Sequence, residues 1–207
     1  MKREYMRLAP FLTAAAALLV ILLAVILKPA SSEKQKYEYV GMSECAKCHG
    51  TGALGNQVAI WQGTPHARAA RVLRTERASI IAKKLNIENP SEAPECLKCH
   101  TTGGGKVVKL AAEGVGCEAC HGPASAYGDI TNHAPYGDRE KDYARAVSFG
   151  MYKTLGIDGI KLRERMCKRC HTLNRPCAPE DAEERKRQEL ALSVIADFIY
   201  RHPVRSK

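Results

Sequence analysis

Four copies of Cys-x-x-Cys-His divide this chain of 207 residues. In this pentapeptide the two thiols can bond the vinyl groups of one haem, and the histidine that follows can bind its iron. The copies, called boxes 1 to 4 here, lie at residues 45–49, 96–100, 117–121 and 167–171. We therefore predict four c-type haems. Their thioethers would come from Cys45, Cys48, Cys96, Cys99, Cys117, Cys120, Cys167 and Cys170, and their proximal iron ligands would be His49, His100, His121 and His171.

Two other uses of paired cysteines compete with haem. Zinc ribbons also use Cys-x-x-Cys pairs, and exported proteins use cysteines for disulfides. Neither use requires a histidine directly after every second cysteine, whereas all four boxes have one. Haem is therefore favoured. The ninth cysteine, Cys177, belongs to no box, and we interpret it as a small buried residue or, alternatively, as a reactive or intermolecular thiol.

The N-terminus has the composition of a membrane segment. Residues 8–27 form an apolar run that is long enough to span a bilayer as a helix and that follows three basic side chains. We predict a cytoplasmic N-terminus at 1–7, a transmembrane anchor at 8–27, a tether at 28–37 and a tetrahaem domain at 38–207. A cleaved signal peptide is the alternative. Either interpretation places the haem domain outside the cytoplasm, in the periplasm or extracellular space, and the anchor adds a single-pass attachment to the cell membrane.

The charge of the chain argues against nucleic acid as a partner. The formal net charge is +10, but part of it lies in the N-terminal segment. Eight haem propionates and four ferric centres would leave the exported part at about +3. A surface this mildly basic fits protein redox partners better than a polyanion.

Local patterns predict a mainly α-helical chain. We expect a helix from Thr64 to Leu73, a second one from Thr75 to about Leu85, and a last one that opens after Pro179. Residues 103–105 are three glycines and predict a turn, residues 106–110 predict a short strand, and residues 131–138 predict a loop.

The histidines are too few to place one on both faces of every iron. Seven are present, and outside the boxes only His66, His133 and His202 remain as distal ligands. At least one of four haems must therefore be five-coordinate, take a methionine, or borrow a ligand from another protein. Three methionines could supply sulfur, although packing is the favoured role for each: Met42, Met151 and Met166.

Two sequence runs resemble the tetrahaem cytochrome c554 family. They are Trp-Gln-Gly-Thr-Pro-His-Ala-Arg-Ala at 61–69 and Gly-Val-Gly-Cys-Glu-Ala-Cys-His-Gly-Pro at 114–123. The resemblance implies helices and loops packed around four haems that stack in pairs. It also implies that His133 serves the first haem, that His66 and His202 serve the third and fourth in an order left open, and that the second haem is five-coordinate.

The resemblance and the anchor together predict a membrane-tethered electron carrier that works with redox partner proteins. No catalytic residues are predicted. Three alternatives remain at this stage: a nitrogen-oxide reductase acting at the second haem, a quinol dehydrogenase, and a homo-oligomeric subunit of an extracellular cytochrome filament.

Overall fold

The computed structural model describes the backbone of residues 36–193 and the side chains of residues 36–187. Tyr37 and the described residues after it belong to one compact unit. This part contains α-helices and 3-10 turns and no β-strand, which confirms the expected mainly α class for the residues described. The predicted anchor at 8–27, most of the tether and His202 lie outside the described residues. Between residues 36 and 193 no helix has both the length and the apolar character needed to cross a bilayer.

The described chain has nine α-helices. In order they are α1 Met42–His49, α2 Gln57–Gln62, α3 Glu76–Lys84, α4 Pro94–His100, α5 Glu118–His121, α6 Ile130–His133, α7 Arg139–Ser148, α8 Gly156–Lys168 and α9 Ala182–Ser193. Five 3-10 turns join them: Gly52–Leu54, His66–Arg68, Arg71–Arg74, Thr102–Gly105 and Val108–Glu113.

Each box lies at the C-terminal end of a helix. Boxes 1 and 2 close α1 and α4, and box 3 forms the single turn α5 with Cys117 as its N-cap. Box 4 starts in the last turn of α8, and His171 N still donates to Cys167 O at 2.9 Å. Helical spacing puts the first cysteine, the second cysteine at i+3 and the histidine at i+4 on one face, so both thiols and the histidine can meet one group.

Several local expectations are confirmed and others are wrong. Thr75 caps α3 as predicted, with its side chain accepting from Ala78 N. The helix expected from Thr64 is instead a pair of 3-10 turns, although Pro65 and Ala69 keep right-handed helical dihedral angles. The strand predicted at 106–110 is wrong because a 3-10 turn begins at Val108. The loop predicted at 131–138 begins within α6, whose N-cap is Asp129.

The apolar core is small for a unit of this length. Among the described side chains nine apolar residues are buried: Met42, Leu73, Ala82, Leu110, Ala124, Tyr127, Ala146, Met151 and Met166. Three of them are alanines. Large apolar side chains such as Val108 and Ile157 are exposed by 84% and 77%. The chain therefore buries little apolar surface against itself in the region described.

A buried carboxylate fixes the segment before box 1 to box 3. Glu118 is 2% exposed, and its Oε1 accepts from Val40 N at 2.9 Å and from Ala124 N at 2.8 Å. Its Oε2 accepts from Gly41 N at 2.8 Å. Three backbone donors from two distant segments therefore converge on one side chain inside the third box.

Candidate haem attachment sites

Two couples of boxes are in close contact, and Cys120 of box 3 also lies near Cys167 of box 4. The thiols of Cys45 in box 1 and Cys117 in box 3 lie so close that Cys117 raises the pKa of Cys45 and Cys45 lowers the pKa of Cys117. In the second couple, Cys99 Sγ of box 2 lies 3.9 Å from Arg169 O, and Cys170 Sγ of box 4 lies 4.0 Å from Lys98 O. Groups attached to the two members of a couple would be neighbours. The nine cysteines all lie in the described part, and no two of them are joined by a disulfide there.

Hydrogen bonds orient two of the box histidines. His49 Nδ1 lies 3.2 Å from Gln57 Oε1, and His100 Nδ1 lies 2.7 Å from Ala69 O. A partner at Nδ1 fixes the ring and directs Nε2 away from it, which is how metal-binding histidines are commonly held. Neither Gln57 nor Ala69 was expected from the sequence, because nothing in the local pattern marks a residue that acts on a ring elsewhere in the chain.

Two of the predicted distal histidines each face a box histidine. The ring centres of His133 and His49 are 5.8 Å apart, and so are those of His66 and His171. Two metal–imidazole bonds of about 2 Å on opposite sides of one ion would separate ring centres by roughly 6 Å. Both observed separations are close to that value. The structure therefore brings His133 to box 1 and His66 to box 4.

Burial favours the neutral form of His66, His133 and His171. It lowers the pKa of His66, and it lowers the pKa of His133 with a smaller contribution from His49. Burial is the largest cause of a lowered pKa for His171, and His66 and Arg175 make smaller contributions in the same direction. The neutral form has the nitrogen lone pair that binds a metal, so these environments suit ligands.

The two sequence runs that carry the family resemblance are in direct contact. Trp61 Nε1 donates to Val115 O at 2.8 Å, and Val115 N donates to His66 O at 3.0 Å. Gly114 adopts a φ of +77°, and a Cβ there would lie 2.6 Å from His66 O. The run that leads into box 3 therefore holds the turn that carries His66.

We predict that Gly114→Ala destabilises the protein by about 2–3 kcal/mol, because the residue needs a glycine-only conformation and its new methyl group would overlap backbone atoms. The matched control is Gly137→Ala, at φ +64° with no heavy atom within 4 Å of the added Cβ. In the control the free energy of unfolding should fall only by the cost of placing alanine at a positive φ, about 1 kcal/mol. Urea unfolding of the mature protein measures both, and equal losses would contradict the proposed overlap with the His66 turn.

The three candidate methionines are all buried, each with 9% exposure. Met42 Sδ lies 3.4 Å from Cys117 Sγ. Packing, the role favoured from the sequence, agrees with this burial.

Cys177 has a specific partner. Its thiol lies near the ring of His100 in box 2 and near the guanidinium of Arg175. The neighbouring His100 is the largest cause of a lowered pKa for the thiol, and the thiol is the largest cause of a raised pKa for the imidazole. Cys177 is half-buried, and neither sequence interpretation, a small buried residue or a reactive or intermolecular thiol, included this contact.

Comparison with known proteins agrees with the site chemistry. Residues 44–122, which include boxes 1 to 3, match the family described as cytochrome c554 and c-prime. The protein named cytochrome c-554 from Nitrosomonas europaea is 30% identical over 95 residues, covering 41% of this chain and 38% of that protein. The chain thus matches well under two thirds of that relative's length. No solved structure matches. The match includes three complete boxes, so residues 44–122 are similar to a family whose cofactor is covalently bound c-type haem.

Proposed function

We propose that this chain is a tetrahaem c-type cytochrome that carries electrons between redox partner proteins outside the cytoplasm. The observation that supports it most directly is the pairing of box histidines with histidines from distant segments, at 5.8 Å in two cases. The family match covers three of the four boxes, and box 4 has the same residue pattern.

A bound c-type haem supplies a one-electron couple between ferric and ferrous iron. The chain's own residues position the haem and supply the ligands of its iron. The box cysteines fix the position of the group, Gln57 and Ala69 orient two proximal rings, and neutral His133 and His66 offer a second imidazole. Imidazole on both faces favours a lower potential than a histidine with a methionine thioether, so these sites suit a low-potential carrier.

The contacts also support one assignment of the ligands that the sequence left open. His66 faces His171, so it is proposed to serve box 4, and His133 is proposed to serve box 1. His202 is then the remaining candidate for box 3. The contact between boxes 1 and 3 and that between boxes 2 and 4 would make the haems neighbours in two pairs.

The proposed location is the outer face of the cytoplasmic membrane. The apolar run at 8–27 would act as a single-pass anchor, and covalent haem attachment to exported thiols agrees with a periplasmic or extracellular domain. An anchored carrier of this kind would exchange electrons with proteins that meet it at the membrane surface.

We predict that His133→Ala and His66→Ala each convert one haem per chain from low-spin to high-spin, because each removes one of two imidazoles. Electron paramagnetic resonance of the oxidised mature protein measures this directly. The haem content should stay unchanged in both variants, since the box cysteines are intact.

Ile130→Ala is the matched control for His133. Ile130 lies in the same short helix, is 62% exposed and offers no ligand atom, so its spectrum should equal that of the wild type. Unchanged low-spin signals in both histidine variants would contradict the assignment. A mature chain that carries no haem would contradict the function itself.

A further inference from the structure

The helix that carries His133 needs support from elsewhere in the chain. This helix, α6, is a single turn, which is too short to be stable by itself. In a longer helix the carbonyl of Thr131 would accept from the N–H of residue 135, but Pro135 has no N–H. A backbone acceptor two residues before the ligand is therefore available to a donor from another element.

Arg145 of α7 supplies that donor. Its Nε donates to Thr131 O at 2.6 Å, and its Nη2 donates to Asn132 Oδ1 at 3.3 Å. Asn132 Nδ2 in turn donates to Ala126 O at 3.2 Å, so this amide connects the arginine to the segment that follows box 3. We propose that Arg145 is a positioning residue that holds His133 within reach of the iron at box 1. The inference rests on the proposed pairing of His133 with that box.

The guanidinium of Arg145 is itself fixed in place. Its Cζ lies 5.0 Å from the ring centre of Phe149 and 5.9 Å from that of Tyr136, distances at which a cation is attracted to an aromatic face. Its Nη1 also donates to the hydroxyl of Tyr136 at 3.4 Å. Phe149 packs against the buried cluster of Ala124, Tyr127, Ala146 and Met151. The arginine therefore connects the turn that carries the ligand to the small apolar core.

A second contact with α7 follows His133 along the chain. Tyr136 N donates at 2.9 Å to Oδ1 of Asp142, a residue that is 9% exposed. The backbone is therefore attached to α7 on both sides of the ligand. The turn that carries His66 is held differently, since its contact with Val115 joins two backbone atoms. A side-chain substitution in α7 can thus release His133 while both histidines of its pair remain in the chain.

The test is electron paramagnetic resonance of the oxidised, full-length mature protein. Arg145→Ala should convert one haem per chain from low-spin to high-spin and reproduce the signal of His133→Ala, because the released histidine leaves the iron. Lys141→Ala is the matched control. It removes the same charge from the same helix, at a side chain that is 73% exposed, and should match the wild type. An Arg145→Ala protein that keeps every low-spin signal would overturn the inference.

The midpoint potential separates a positioning role from a purely electrostatic one. Loss of a positive charge near the iron favours the ferric state and lowers the potential. Loss of one imidazole removes electron donation to ferric iron and raises the potential. We therefore expect the potential of one haem to rise in Arg145→Ala, and we expect added imidazole to restore its low-spin signal. A lowered potential with an unchanged spin state would overturn the inference.

Arg145→Lys provides the test if the alanine variant does not fold. Lysine keeps the charge and most of the stem, but its ammonium is a point donor and does not reproduce the planar fork that serves two acceptors. A high-spin fraction between those of the wild type and His133→Ala is expected, and a wild-type spectrum would overturn the inference.

His133→Ala distinguishes this inference from the function on which it rests. If that variant changes no haem, the pairing of His133 with box 1 is refuted. If it changes one haem while both Arg145 variants keep the wild-type spectrum, only the role of Arg145 is refuted.

Discussion

The chain made without haem attachment is expected to remain largely unfolded. The described side chains bury only nine apolar residues, and three of these are alanines. Burying about 400 Å² of a porphyrin at about 25 cal/mol per Å² contributes on the order of 10 kcal/mol. That is comparable to the whole stability of an ordinary domain, so the four proposed haems would decide whether this chain folds.

The measurement compares the same full-length chain produced with and without the cell's haem-attachment machinery. Far-ultraviolet circular dichroism and resistance to protease should both fall sharply in the haem-free product. Cys96→Ala combined with Cys99→Ala removes one attachment site and should give an intermediate loss of stability. Ile157→Ala, at a side chain that is 77% exposed, should change little. A haem-free chain that unfolds cooperatively would show that the polypeptide supplies its own core.

Removing the Glu118 carboxylate should be the most damaging single substitution away from the haem ligands. Glu118→Ala leaves the N–H groups of Val40, Gly41 and Ala124 without their acceptor. A hydrogen bond to a charged group contributes about 1.5–3 kcal/mol, and buried donors left unpaired are costly. We expect a loss of about 3–5 kcal/mol in urea unfolding of the mature protein. The couple of boxes 1 and 3 should loosen at the same time.

Glu118→Gln should destabilise the protein less than Glu118→Ala does. The amide keeps one oxygen for the two donors that meet at Oε1, but its NH2 group would face Gly41 N–H, so a loss of about 2 kcal/mol is expected. Glu44→Ala is the matched control, because Glu44 precedes Cys45 but its exposed side chain pairs only with Lys47 in the described structure. Exposed ion pairs contribute about 0–1 kcal/mol. A loss in Glu118→Ala no larger than in Glu44→Ala would refute the proposed anchoring role.

Much of the site followed from residue types and spacing. The boxes determine which side chains can hold haem, and counting the remaining histidines singled out His66 and His133, which the fold then brings to box histidines. The cap at Thr75 and the turn at residues 103–105 were also predictable, because each depends on the intrinsic preferences of one or a few neighbouring residues.

The parts that could not be predicted depend on tertiary contacts. The segment after Thr64 has helix-forming residues, yet His66 O is occupied by Val115 N from a run about fifty residues away, and the segment forms short 3-10 turns. The orienting carbonyl of Ala69 has no sequence signal, since every residue has one.

The turn that carries His66 would couple the two haems proposed at boxes 2 and 4. His66 faces box 4, while Ala69, which donates to His66 O at 3.1 Å, accepts from the proximal ring of box 2. The strength of that bond sets the basicity of His100 and thereby its iron potential. If oxidation of one haem displaces the turn, the midpoint potential of the other haem changes as well. The redox state of either haem would then change the potential of the other through the backbone from His66 to Ala69, in addition to the repulsion between their charges.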